Sequence, residues 1–358
     1  MKKLGIGFLG LLVLILGGLW LGLRVPAVQD ALFSQAIEAR LGNPPELHDE
    51  AALNVVFCGT GGPLPDPDRA GPCIAVYAGD RLYLIDSGTG GAMALAGLGA
   101  PMGQLRGIFY THLHSDHIAG LGDAALMSWS AGRRVPLSLY GPPGVDDLAA
   151  GFERAYQIDA RSRIDHHGSA IFAPDGASLA ARPVVVEGAE EVVTLVDDGG
   201  LKITAFRVTH PPLENAYGYR VDYHGRSVIF SGDTMKDPQI ARVGAGVDVM
   251  VHEAMANPLM LMMADGLETA SNSAAATILR DATTNHSLPV EAAQTANEAG
   301  AGLLVFSHVL PPMPAGFVED MFLRGVDEVR PEATLLGFDG LWLSLGAGTQ
   351  GIEQRDLR

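Results

Sequence analysis

The run Thr111-His112-Leu113-His114-Ser115-Asp116-His117 constrains this chain more than any other stretch. It follows an apolar β-rich segment, Gly107–Tyr110, and opens onto a helical pattern over Ile118–Trp129. In extended chain, side chains two apart point the same way, so His112 and His114 can share one metal ion. As the chain turns into the helix, Asp116 and His117 swing towards a second position. Four candidate ligands this close together at one strand end require partners from other strand ends.

Those partners are present. His210 follows the strand-like Leu201–Val208, just before Pro211-Pro212, and Asp233 lies directly after Ser227–Phe230. His308 follows Leu303–Phe306 in the same way. Further β-rich runs occupy Asn54–Cys58, Ile74–Tyr77, Leu82–Ile85, Leu137–Tyr140, Tyr217–Tyr223 and Val247–Val251, with Gly, Pro and Asp clusters between them. Val145–Tyr156 and Val290–Ala299 read as helices, and Leu335–Ser344 as a closing strand pair that turns at Asp339-Gly340. Two successive β-then-α halves predict an α/β fold of two sheets packed face to face, with helices outside both.

With these residues in place, the chain resembles the metallo-β-lactamase superfamily, and within it the ribonuclease Z and arylsulfatase-like branch. Supporting segments are Gly59-Thr60-Gly61-Gly62-Pro63, Asp68-Arg69-Ala70-Gly71-Pro72, Gly218-Tyr219-Arg220, Ser231-Gly232-Asp233-Thr234 and His252-Glu253-Ala254. The resemblance implies a four-layer αβ/βα sandwich. It places His112, His114 and His210 on one zinc ion and Asp116, His117 and His308 on the other, with Asp233 bridging. Imidazole and carboxylate donors suit zinc, and the same donors also accept manganese or iron. The resemblance further implies that His286 gives a proton to the leaving group, Asp116 sits at the reacting centre, and Asp86, His252 and Glu253 support the ligands. Arg133, Arg134 and Met260 are candidates for substrate contact, against the plainer readings of a surface arginine pair and core packing.

Three features bear on location and partners. Leu4–Leu23 is uncharged and apolar apart from its glycines, long enough to span a hydrocarbon core of ~30 Å. Lys2 and Lys3 precede it, so the positive-inside bias places the remainder outside. Residues 1–24 are thus expected to form a transmembrane anchor or, alternatively, a cleaved signal segment that would leave the domain secreted. Residues 25–50 then form a juxtamembrane helix and linker, 51–349 an extracytoplasmic (periplasmic) hydrolase domain, and 350–358 a tail. The chain is acidic, with 41 Asp+Glu against 24 Lys+Arg, and that balance speaks against a polyanionic partner. Cys58 and Cys73 lack a C-x-x-C pattern, which excludes a cysteine zinc cluster and leaves either a disulfide or two buried thiols.

The expectation is therefore a binuclear-metal hydrolase of a small anionic ester, an aryl sulfate or a phosphate mono- or diester, without nucleic acid. Two divalent ions, two aspartates and a hydroxide sum to about +1, which attracts such an anion. The alternatives are a transfer-RNA 3′-processing nuclease of the ribonuclease Z type, or a lactone or carboxylic ester hydrolase. The nuclease family inserts a long RNA-gripping arm between the residues matching His210 and Asp233, which stand only 23 positions apart here. The lactamases themselves do not use the bridging aspartate. A membrane-tethered binding module without activity is the reading from another class, and the full ligand set speaks against it.

Overall fold

The structure is a computed structural model that describes residues 20–42 and 51–358. The chain forms two compact units, which divide after Glu46. The first contains the helix Pro26–Gly42, on which Leu32, Phe33 and Ile37 are exposed. Most of the apolar run Leu4–Leu23 lies outside the described residues. Among the described residues, no helix is long and apolar enough to cross a membrane.

The second unit opens with β1 (Ala52–Gly59), β2 (Cys73–Ala78), β3 (Arg81–Ile85), β4 (Leu105–Phe109), β5 (Leu137–Gly141) and β6 (Leu179–Pro183). It continues with β7 (Val192–Asp198), β8 (Leu201–His210), β9 (Leu213–Tyr223), β10 (Arg226–Phe230), β11 (Val249–Met255), β12 (Leu303–Leu310) and β13 (Thr334–Leu336). The last two strands are β14 (Leu341–Gly346) and β15 (Glu353–Asp356). One sheet has the order β15-β14-β1-β2-β3-β4-β5-β6, the other β13-β12-β11-β10-β9-β8-β7. Each is antiparallel on one side and parallel on the other: β3 to β6 run parallel, as do β10 to β13.

Strand alternation explains the layering. Val55, Phe57, Val76, Ile85 and Phe109 of the first sheet meet Ile203, Val221, Val228, Val251 and Val305 of the second in one core. The opposite faces carry a second set: Val56, Tyr77, Leu84 and Ile108 pack with Leu95, Leu121 and Val145 from helices. Phe206, Ile229, Met250 and Leu304 likewise pack with Ala292, Ala293 and Ala296 of the helix Pro289–Ala299. Strands covered on both faces read as near-continuous apolar runs, which is why they stand out in the sequence. The result is the four-layer αβ/βα arrangement.

Three local expectations need correction, and one pairing left open is decided. The helix expected over Ile118–Trp129 is two pieces, Ser115–Ile118 and Leu121–Ser130. They part at Gly120, where a Cβ would lie 2.4 Å from the Gly88 carbonyl oxygen. Leu335–Ser344 is not a hairpin, because β13 pairs with β12 while β14 pairs with β1 in the other sheet. Asp339, at this crossing, accepts hydrogen bonds from Thr60 N, Thr60 Oγ1 and Ala70 N, and so pins the crossover to the β1–β2 connection. The supposed tail, residues 350–358, contributes β15, which pairs with β14. Cys58 and Cys73 form a disulfide at the facing ends of β1 and β2, so neither is a free thiol.

Arg226 fastens the two sheets at the end remote from the histidines. Its Nη1 donates to Gly346 O, Thr349 O and Gly351 O beyond β14, and its Nη2 pairs with Asp248 at 2.9 Å. Arg226 is almost fully buried, so Arg226→Met would leave these carbonyls and the Asp248 charge without their partner. Urea unfolding should show a loss of about 3 kcal/mol. A change below roughly 0.5 kcal/mol, the range of an ordinary surface substitution, would contradict this role.

Candidate metal centre

All seven expected ligands converge at one end of the sandwich. β4 stops at Phe109, and Tyr110 N–H donates to Tyr140 O, after which the chain leaves the sheet. His112 and His114 follow outside the sheet, His114 in extended backbone, and the short helix Ser115–Ile118 turns Asp116 and His117 to the other side. His210 is the last residue of β8. Asp233 follows Gly232, whose φ of +61° and close approach to Tyr217 O and Thr111 admit no side chain.

His308 arrives by a different device. Glu253 pairs with Ser307 and Ala254 with Val309, so His308 is the unpaired residue of a bulge in β12, at φ +50°. Bulges re-aim side chains in this way, and a non-glycine residue at positive φ is held there only by its surroundings.

The donor atoms form two groups. His112 Nε2 lies 2.9 Å from His114 Nδ1, and His210 Nε2 lies 3.4 Å from the same atom. Asp116 Oδ2 lies 3.5 Å from His117 Nε2 and 3.3 Å from His308 Nε2. Asp233 Oδ2 stands between them, 3.9 Å from His112 Nε2, 3.4 Å from His117 Nε2 and 3.3 Å from His308 Nε2. Within each of the sets His112–His114–His210 and Asp116–His117–His308 the ligand atoms are all within 4.8 Å of one another.

Three of the ring nitrogens that face away from the cluster are tied down, those of His112, His117 and His210. His117 Nδ1 lies 2.8 Å from Asp86 Oδ2, and His210 Nδ1–H donates to Asn285 O at 2.9 Å. The Thr111 hydroxyl donates to Asp86 Oδ2 and leaves its oxygen to accept from His112 Nδ1 at 3.1 Å. These contacts fix the tautomers that direct Nε2 of all three rings inward. His117 Nε2 and Asp233 Oδ1 are buried without any hydrogen bond, which the chemistry of a cation site explains and a packed apolar core does not. The donor set fits two divalent ions.

Charge follows the same division. Burial, and then the neighbouring imidazoles, push His112, His114 and His210 below the ordinary histidine range, into the neutral form that a metal needs. Burial opposes a charge on His117 too, but Asp233 and Asp86 outweigh it and hold this ring well above its usual value. Burial likewise opposes the Asp233 carboxylate, yet His308 and His117 keep it ionised far below the usual range. In the metal-free protein, positive charge on His117 thus stands where a cation would.

Beyond the ligands, Glu253 joins two loops. Its Oε1 accepts from Thr234 N at 3.1 Å and Ser287 N at 3.0 Å, next to Asp233 and His286 respectively. Its Oε2 lies 3.2 Å from His286 Nδ1. Burial would lower His286, but the Glu253 charge more than offsets this and raises it to about 9. The His286 ring lies 5.1 Å from that of His210 and 5.6 Å from that of His308, centroid to centroid.

Some expected residues are elsewhere. His252 alternates onto the helix-covered face of β11, where its Nδ1–H donates to Glu253 O, so it braces the strand and supports no ligand directly. Arg133 is buried and donates to Ser128 Oγ, Val135 O and Ala125 O, so its guanidinium holds backbone and is not offered to a substrate. Arg134 donates to Ala170 O at the surface. Met260 is packed with Met255, Ala264, Ala276, Leu279 and Leu310 in a small core. The sequence reading gave no role to the Thr111 hydroxyl or to the Asn285 carbonyl. The second is a backbone atom and leaves no trace in residue type.

Known proteins resemble this chain over most of its length. A family profile described as the beta-lactamase superfamily domain matches residues 81–309. Ribonuclease Z of Mycobacterium marinum is 33% identical over 267 residues, 74% of this chain and 88% of the relative. The metallo-beta-lactamase fold protein YhfI of Bacillus subtilis superposes with a TM-score of 0.57 at 20% identity, covering 82% of this chain and 99% of its own. The short form of human tRNase Z gives 0.57 at 21% identity, with coverage of 82% and 99%. Two expectations fall here. Relatives that carry the name of a ribonuclease contradict a small-ester substrate without nucleic acid. The membrane-held, extracytoplasmic placement falls as well, since the relatives carry the name ribonuclease Z; most of the run Leu4–Leu23 on which it rested lies outside the described residues.

Elemental analysis of the purified protein should find close to two transition-metal ions per chain. Asp233→Ala should lower that number clearly, because its carboxylate faces both sets. Asp86→Ala should keep the ligands but weaken metal retention against a chelator by ~10–100-fold. One ion or none in metal-replete wild-type protein would contradict the two-ion site.

Proposed function

The chain belongs to the beta-lactamase superfamily, and from that premise we propose that it is a two-metal phosphodiesterase of the ribonuclease Z type, acting on RNA. The observation that carries this reading is 33% identity along 88% of a ribonuclease Z, in a chain where six candidate donors flank the Asp233 carboxylate. Zinc is the metal that the imidazole-rich donor set favours. Divalent ions held there would supply Lewis acidity and an activated water for attack on phosphorus.

The protein's own groups supply the rest. Asp86, Thr111 and the Asn285 carbonyl orient the rings of His117, His112 and His210. Asp233 spans the two sets, and Asp116, the least buried of the carboxylates in them, borders the open side. Glu253 keeps a proton on His286, and that proton goes to the ribose oxygen as the P–O bond breaks.

The form of RNA recognition differs from the family pattern set out above. β9 and β10 fill the interval between His210 and Asp233, so no arm projects there. A formal net charge of −17 gives a polyanion no overall attraction to the protein. Recognition therefore rests on the reacting phosphate and the nucleotides next to it.

The substrate class is tested with an RNA bearing a 3′ extension, bis(4-nitrophenyl) phosphate and 4-nitrophenyl sulfate. The two phosphodiesters should be cleaved and the sulfate ester left intact. Turnover of the sulfate ester without phosphodiester cleavage would sink the reading. His286→Ala separates the proton donor from the metal site. Cleavage at a ribose leaving group should slow by ~10²–10⁴-fold, and cleavage with nitrophenolate, which leaves readily as an anion, much less. Equal losses on both, or a loss of metal, would show that His286 only holds the site together.

A further inference from the structure

The connection between β1 and β2, residues 60–72, is closed at its base by the Cys58–Cys73 disulfide. Both cysteines are fully buried. From this base the connection reaches both sides of the Asp116–His117–His308 set. On its outgoing arm, Val309 N–H donates to Thr60 O, and Gly61 forms a β-bridge with Val309, the residue after His308. A Cβ on Gly62 would lie 3.2 Å from His308 Cε1, so this arm sits directly against that ring.

The returning arm meets the other two ligands. Gly88 N–H donates to Pro72 O, Gly71 N–H donates to Thr89 O, and Ser87 N–H donates to His117 O. A Cβ on Gly88 would lie 2.6 Å from Asp116 O, so the backbone of residues 87–88 is wedged between this arm and Asp116–His117. Pro72 and Cys73 also line the cavity behind His117, Asp233 and His308. Supports of the His112–His114–His210 set lie elsewhere, in the Thr111 hydroxyl and the Asn285 carbonyl.

We propose that the Cys58–Cys73 disulfide is a positioning brace for the Asp116–His117–His308 set, so that cation occupancy of this set depends on the thiol redox state. His308 comes from the second sheet and Asp116–His117 from the first. The braced connection meets His308 directly and Asp116–His117 through residues 87–88, and so adds a local constraint to the spacing that the core between the sheets sets. His308 adds a reason for sensitivity, since its positive φ is held by its neighbours alone. Reduction by a dithiol breaks the S–S bond. Two electrons and two protons pass to the cysteine sulfurs, and the dithiol closes to its own disulfide. The Asp339 hydrogen bonds, Gly61 N–H to Ala70 O and Arg69 Nη1 to the Thr60 hydroxyl then remain between the two arms, without a covalent link at the base.

The inference rests on the two-ion reading but not on RNA as substrate, and its test is a metal titration. Zinc affinities are measured by chelator competition on oxidised wild type, on wild type reduced by dithiothreitol and repurified without air, and on Cys58→Ala/Cys73→Ala. Mass spectrometry confirms the thiol state, and Asp86→Gln, which leaves the disulfide intact, serves as a control. The brace predicts that one zinc ion stays at wild-type affinity while the other weakens by about tenfold or more in both the reduced and the double-alanine protein. Unchanged affinities at both positions, or equal weakening at both, would overturn it. Should the double variant fail to fold, the reduced wild type gives the same reading. A wild type that binds a single ion would instead refute the two-ion site itself, an outcome distinct from either.

Discussion

Asp233 Oδ2 lies within 4 Å of imidazole nitrogens from both ligand sets, and much of the structure serves to bring that carboxylate and five buried or half-buried histidines together. Such crowding is unfavourable in the absence of a cation. Burial disfavours every charged form, and the imidazoles repel one another once protonated. The fold resolves the conflict by dividing the rings, with neutral histidines on one side and His117 paired with carboxylates on the other. The two sheets must meet at a fixed spacing for this arrangement to exist, because Asp116 and His117 belong to one sheet and Asp233 and His308 to the other. The apolar core between the sheets sets the spacing, and the site is placed where the strands run out of it.

Irregular backbone is concentrated at the same end. Asp86 and His308 both adopt positive φ, the register of β12 slips at His308, and that of β8 slips just before His210. Regular strands would alternate these side chains into the core or onto the outer helices. Local departures from regularity let them point along the strand axis into a common space. The cost is met by hydrogen bonds that would otherwise have no purpose, such as Asp86 with Thr111 and His117. A chain built this way keeps its stability in the covered strands and its chemistry in the loops.

Much of this was legible in the sequence, and for a physical reason. Strands covered on both faces are continuous apolar runs, and a residue directly after such a run has few places to go, so His112, Asp233 and His308 stand out as candidates in the sequence, while their division into two sets came from the family resemblance. The failures have equally definite causes. β6 and β7 are half-exposed edge strands without a clear pattern, and the helices Asn257–Thr269 and Ser273–Ala282 are composed of residues that suit core packing as well as a helix face. Asp339-Gly340 reads as a hairpin turn, yet its carboxylate is taken by Thr60 and Ala70, and the chain crosses between sheets. Arg133 and Arg134 looked available because charge is visible in a sequence and its hydrogen-bond partners are not. Overall acidity misled most about partners: a sum over the whole surface says little about the few ångströms around a candidate cation site.

The central claim is that two ions sit on either side of Asp233, one held by His112, His114 and His210, the other by Asp116, His117 and His308. Crystals of the zinc-loaded protein, measured on both sides of the zinc absorption edge, test it most directly. The account predicts two anomalous peaks about 3.5–4 Å apart, with Asp233 Oδ2 between them. A single peak, or a second peak away from Asp116, His117 and His308, would contradict it.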